Sequence, residues 1–374
     1  MATTLTSEMA SQVAKANLPA FNCPPGTKLH LLNLGSIECD EGWWVLWLEW
    51  RHYVMLMFRF RLLRGGNAST LSNKNPDSKR RELIILSVLI EHPQAGLILF
   101  ETGCGENIEV TLVDILTSTH KKWGAPLTDI FPRTVYNEEH KLPAAIKATG
   151  NDIKDVKAVV FGHLHLDHAG GLEHFVGTDV PIYVHEEEFK HACWAIATGA
   201  DLGVYMAHYM SLDKLNWQTF NEAHVDLFQG ITIHHSPGHT PGLCIMQVNL
   251  EKDGTFIFTS DQCHIAENYE MSHPHGWLAR DHTAWFNSLQ MIKRLQRMFS
   301  AEMVFGHDKE VADRLIRKKK YLNRSWVAFG LSNLLGFRSK FRICIASSIE
   351  MPNHCSPKIF SDVNNCPWAS DETN

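Results

Sequence analysis

The amino-acid sequence predicts an α+β fold that delivers several strand ends, each carrying a histidine or an aspartate, to one edge. Three observations predict it. The apolar run Val156–Gly162 has the length and composition of a buried strand. It ends in His163-Leu164-His165-Leu166-Asp167-His168, and Ala169-Gly170-Gly171 behind it allows a tight turn. Three further β-rich runs end in the same kind of group, at His239, Asp261 and His307. Helical periodicity marks other segments, notably Leu142–Thr149, ended by Gly150, and the amphipathic Trp285–Met298.

Composition narrows the function. The chain has 374 residues, 44% of them hydrophobic and 20% charged, enough for one large domain with a sizeable core. A net charge of −6 argues against a nucleic-acid partner, which needs a basic face. The nine cysteines are scattered without a Cys-x-x-Cys pair, which suits reduced thiols in an intracellular protein. Met1 to Glu8 lacks the basic and apolar regions of a signal peptide, so a cytoplasmic location is expected.

Taken in order, residues 1–27 read as an arm with Pro19, Pro24 and Pro25, and Lys28–Leu34 as a first strand. Trp43–Leu63 holds four tryptophans and a Met-Leu-Met-Phe run among scattered charges. Those charges break any span of about 18 apolar residues, so a packed or interfacial helix is expected rather than a membrane anchor. A translated intron is a third reading of this insertion, at about 44–63. Glu82–Glu91 and Gly96–Phe100 read as a hairpin of strands turning at Pro93-Gln94-Ala95. The second strand runs into the turn Glu101-Thr102-Gly103-Cys104-Gly105, expected to bend under the histidine loop.

Val180–Val184 reads as a strand and Glu186–Met210 as a helix. Ile231–His235, Leu243–Val248, Thr255–Thr259 and Met303–Phe305 read as further strands. The domain is expected to span 28–318. Residues 319–374 lack sustained periodicity and read as a poorly ordered tail.

The chemistry lies in the strand ends. Neutral imidazole suits zinc and similar metals, and a carboxylate adds charge and a hard oxygen. Four such donors in six residues cannot all face one ion, so two adjacent metals sharing the loop are expected. Singly, His307 would be a surface-loop histidine and Asp261 a cap. Together the strand ends give five histidines and two aspartates, the count needed for two metals.

His-x-His-x-Asp-His, Ser236-Pro237-Gly238-His239-Thr240-Pro241-Gly242, Asp261 and Gly306-His307-Asp308 resemble the metallo-β-lactamase superfamily. Their order and spacing resemble the N-acyl homoserine lactonases within it, from about Leu31 to Val311. The resemblance implies an αββα sandwich, two packed mixed sheets flanked by helices, with two Zn(2+) at one edge. It implies His163, His165 and His239 on the first zinc, and Asp167, His168 and His307 on the second. Asp261 would bridge them together with a hydroxide. That hydroxide would attack the substrate carbonyl, with Asp167 passing a proton to the leaving group.

Two positions depart from the resembled lactonases. His264 stands where they carry a tyrosine that meets the substrate carbonyl, and Glu101 replaces an aspartate in a structural turn. His264 is therefore a candidate catalytic donor. The expected reaction is the opening of a lactone, such as an acyl homoserine lactone, which would make the protein quorum-quenching. The alternative is a lactamase that opens a cyclic amide or carbamate and detoxifies benzoxazolinone-type compounds. Thioester hydrolysis, a metal-binding fold without catalysis and a membrane-associated scaffold rank below these.

Overall fold

The structure is a computed structural model and describes residues 21–40, 80–106, 108, 123 and 125–322. The 44–63 insertion, most of the N-terminal arm and the tail from 323 onward lie outside the described residues.

Two mixed sheets face each other. The first has the order β4-β1-β2-β3-β5-β6-β7, from β1 (Lys28–Asp40), β2 (Arg80–His92), β3 (Gly96–Phe100), β4 (Arg133–Val135), β5 (Val156–Val160), β6 (Pro181–His185) and β7 (Asn216–Phe220). The second has the order β12-β11-β10-β9-β8, from β8 (His224–Phe228), β9 (Ile231–His235), β10 (Cys244–Leu250), β11 (Gly254–Phe258) and β12 (Glu302–Val304). In the first sheet β1, β2 and β3 pair antiparallel, while β3, β5, β6 and β7 run parallel.

β2 shows why the layers form. Its residues Leu83 to Ile90 are apolar but for Ser87, the pattern of a strand covered on both faces. Ile84, Leu86, Val88 and Ile90 join Ile231, Ile233, Met246 and Val248 of the second sheet in one buried cluster. The alternate residues Ile85 and Leu89 turn the other way, onto the cluster that takes in Ala145, Ile146 and Ala192 of the helices α2 (Leu142–Lys147) and α3 (Glu186–Thr198). On the outside of the second sheet, Leu243, Ile245 and Ile257 pack with Ile292 of helix α5 (His282–Phe299). Helix, sheet, sheet, helix is the αββα sandwich that the strand-end motifs implied. The smaller helices are α1 (Ala125–Ile130) and α4 (Ala266–Glu270).

Several elements differ from their sequence-based expectation. The first strand does not stop at Leu34; a register shift between Asn33 and Ser36 lets it continue to Asp40. The helix expected over Glu186–Met210 ends at Thr198, because Gly199 takes the left-handed conformation (φ 69°) that closes it. Phe21 to Thr27, expected in the arm, lie against the domain: the Cys23 amide donates to Asn249 O at 2.8 Å, and Phe21 stacks on Phe299. A last helix, α6 (Lys309–Leu322), runs four residues into the expected tail, and its Ala312 and Leu315 are buried in the cluster that joins the sheets. No helix among the described residues is long and apolar enough to cross a membrane.

Candidate metal centre

The loop after β5 comes from the first sheet, while those after β9, β11 and β12 come from the second. At the shared edge the Cys244 amide donates to Gly162 O at 2.8 Å and joins the sheets. The turn after β3 supports the histidine loop from below, as expected. The Thr102 amide donates to His168 O at 2.8 Å, and the Gly170 amide to Gly103 O at 2.7 Å. Close approach explains Gly306: a Cβ there would meet Ser260 O at 2.6 Å and Asp261 Oδ1 at 2.7 Å.

All eight residues singled out in the sequence converge here. His163, His165 and His239 form one donor group; Asp167, His168, Asp261 and His307 form a second, each with its donor atoms within 4.8 Å of one another. The Asp261 carboxylate stands between them. Its Oδ2 is 3.7 Å from His163 Nε2 and 3.5 Å from His239 Nε2. Its Oδ1 is 3.2 Å from His168 Nε2 and 3.0 Å from His307 Nε2. Asp167 Oδ2 lies 3.4 Å from His307 Nε2 and completes the second group. His264 Nε2 donates to Asp261 Oδ2 at 2.9 Å, so its contact is with the shared aspartate.

The donors fit cations. His163 Nε2, His168 Nε2 and Asp261 Oδ1 are buried and make no hydrogen bond within the described residues, an arrangement that costs stability unless another group satisfies them. Burial, with the neighbouring imidazoles, holds His163 and His239 well below the usual histidine range. Burial and the Arg280 charge push His165 down to about 3. These three are therefore neutral, with lone pairs available to a metal. Burial also disfavours charge on His168 and His307. There the Glu101, Asp261 and Asp167 carboxylates outweigh it for His168, and Asp261 and Asp167 for His307, raising both. The field that draws protons to these two rings equally favours a divalent cation.

Several residues outside the donor set complete the centre. Glu101 has φ 62°, rare for a side chain of its size. Its Oε1 accepts from Ser260 Oγ at 2.5 Å, and its Oε2 is 3.0 Å from His168 Nδ1. Ser260 Oγ is in turn 3.1 Å from His163 Nδ1. The Glu101 turn, expected to be structural, thus orients two donor histidines. Glu188 on α3 is buried in a run of three glutamates that reads as a solvated helix start. His275 lies 3.1 Å from His239 Nδ1 and follows a polar stretch with no strand before it. Of these, Glu101 was signalled by its turn after β3 and Ser260 by its adjacency to Asp261.

Comparison with known proteins agrees with this geometry. The sequence profile of the metallo-β-lactamase superfamily matches residues 80–307. The N-acyl homoserine lactonase AiiB of Agrobacterium fabrum is 25% identical over 298 residues, spanning 78% of this chain and 97% of its own. The N-acyl homoserine lactonase AttM of Azorhizobium caulinodans is 30% identical over 233 residues, 61% of this chain and 82% of its own. A solved N-acyl homoserine lactone hydrolase, with N-hexanoyl-L-homoserine bound at its catalytic metal centre, superimposes with a TM-score of 0.57 at 22% identity. That likeness, of fold, covers 77% of this chain and 95% of the other. The profile spans both sheets and runs from β2 to His307, and on that footing the chain belongs to the metallo-β-lactamase superfamily and is a metal-dependent hydrolase.

Proposed function

We propose that the protein opens a cyclic ester, an N-acyl homoserine lactone or a close analogue, using two zinc ions. The observation that carries this reading is the Asp261 carboxylate, with one oxygen toward each donor group. A shared carboxylate holds two cations close together without leaving their repulsion unscreened. The lactonases similar in sequence point to the substrate class. His163, His165 and His239 would hold the first ion, Asp167, His168 and His307 the second, and Asp261 both. Two such ions supply a water-derived nucleophile near neutral pH and polarise the substrate carbonyl.

The chain's own residues then do the rest. Water adds to the ring carbonyl carbon, the ring C–O bond breaks, and the departing oxygen takes a proton to give a hydroxy acid. Asp167 is the residue to deliver that proton. Its side chain is 12% exposed, against 4% or less for His163, His168, His239, Asp261 and His307. Asp261, clamped between histidines, is held well below the usual carboxylate range by His307 and His168 against the effect of burial. It stays ionised and is unsuited to carrying protons.

A second reading, hydrolysis of a cyclic amide or carbamate, rests on His264. A departing nitrogen must be protonated as it leaves, and an imidazole in place of a tyrosine brings a different hydrogen-bonding group to the centre. A hydrolysis panel of lactones, lactams and thioesters tests both readings. The first predicts highest kcat/KM on lactones and a further rise in the lactone-to-lactam ratio for His264→Tyr. Preference for lactams in the wild-type chain would favour the second.

A further inference from the structure

In this centre the ring nitrogen turned away from the donor group needs a partner to fix its tautomer. Ser260 Oγ stands 3.1 Å from His163 Nδ1, Glu101 Oε2 3.0 Å from His168 Nδ1, and Ile84 O 2.9 Å from His307 Nδ1. The hydroxyl and the backbone carbonyl are hydrogen-bond partners, while the Glu101 carboxylate lies at ion-pair distance from a His168 Nδ1 that makes no hydrogen bond within the described residues. His239 differs: its Nδ1 faces another imidazole, His275 Nε2, at 3.1 Å. The His275 ring is held by its neighbours, 4.0 Å between centroids from His264 and edge-on to Trp285 at 6.2 Å.

We propose that His275 is a positioning residue that accepts the Nδ1 proton of His239 and so aims the His239 Nε2 lone pair into the first donor group. The inference rests on the reading that His163, His165 and His239 hold a cation. The logic is one of tautomers. An imidazole that offers Nε2 to a metal carries its proton on Nδ1, and an acceptor in reach of that N–H fixes the tautomer and the orientation of the ring. His275 Nε2 accepts that proton, and His275 keeps its own on Nδ1, which makes no hydrogen bond within the described residues. A neutral acceptor orients His239 without adding negative charge behind it. The Glu101 carboxylate stands behind both groups, beside His168 directly and behind His163 through Ser260. Of the seven donors His275 is hydrogen-bonded to His239, so its loss acts on the first donor group.

The test is titration of the metal-stripped, full-length protein with Co²⁺, followed by visible absorption, with a chromophoric chelator as competitor. Wild-type protein should take up two equivalents. His275→Phe, which fills the space without an acceptor, should weaken one of the two equivalents by about 10–100-fold and alter its absorption band. His275→Gln, whose amide oxygen can take the same hydrogen bond, should restore affinity to within a few-fold. His275→Ala replaces the Phe variant if circular dichroism shows that the latter does not fold. Two equivalents of unchanged affinity in the acceptor-less variant would overturn the inference. So would a Gln variant as weak as it, since lost ring packing would then explain both. Fewer than two equivalents in the wild-type chain would overturn the two-cation reading, and this inference with it.

Discussion

Glu188 and Thr240 tie together the two loops that carry the first donor group. Glu188 Oε2 accepts from Thr240 Oγ1 at 2.5 Å, one residue beyond His239. Its Oε1 accepts from the Leu164 amide and from the Tyr205 hydroxyl, both at 3.0 Å. Leu164 lies between His163 and His165, so one buried carboxylate fixes a loop from each sheet.

Glu188→Ala should therefore act at a distance. It leaves three buried donors without an acceptor, each costing about 1–3 kcal/mol. Glu188→Gln keeps an acceptor oxygen, and its amide can donate to Thr240, so its loss should be much smaller. Denaturant unfolding ranks the variants, and metal retention on dialysis should follow the same order. Equal stability of the Ala variant and wild type would remove Glu188 from the account.

Asp167→Asn separates binding from chemistry. The amide oxygen can still face a cation, but it cannot relay a proton. Turnover should fall about 10²–10⁴-fold while metal content stays near wild type. Near-normal turnover at full metal content would place the proton relay elsewhere.

The C-terminal boundary follows from α6. A chain ending at Leu322 should stay folded and active. Ending it at Val311 removes Ala312 and Leu315 from the buried cluster that joins the sheets, although every donor is retained. Loss of one buried leucine alone typically costs about 2–5 kcal/mol. Melting temperatures of the two truncated chains check this. Equal stability would mean that α6 contributes nothing to the core.

Acid stability should depend on Glu91. Burial would raise its pKa, but hydrogen bonds from Lys28, Asn151 and His30 lower it from 4.5 to about 2. Between those values the unfolded chain binds the proton and the native chain does not, so stability falls with pH across that window. Glu91→Gln should lose stability at neutral pH and show a shallower decline from pH 5 to pH 3 than wild type. Metal loss in acid affects both chains and cancels in the comparison. Parallel declines would show that the Glu91 cluster contributes no pH dependence.

What the sequence revealed depended on how local each signal was. The seven donors were legible because the four strand ends that carry them each follow a β-rich run and adjoin glycine, proline or another small residue, both local features. Glu188 and His275 were not. Their roles depend on α3 and on the segment before α5 folding back over loops far away in sequence. β7 and β8 were missed for a different reason. Asn216-Trp217-Gln218-Thr219-Phe220 is half polar, and the turn Asn221-Glu222-Ala223 holds neither glycine nor proline to mark a boundary. α6 was hidden by its charge: its Arg317-Lys318-Lys319-Lys320 run reads as the start of a tail, while its Ala312 and Leu315 supply the core contacts.

The central claim is that Asp261 stands between two cations, and metal stoichiometry tests it most directly. Elemental analysis of full-length protein, purified without chelator, should give close to two ions per chain for wild type and one or fewer for Asp261→Ala. One ion or none in a wild-type chain that still hydrolyses its substrate, or two ions retained by Asp261→Ala, would contradict it.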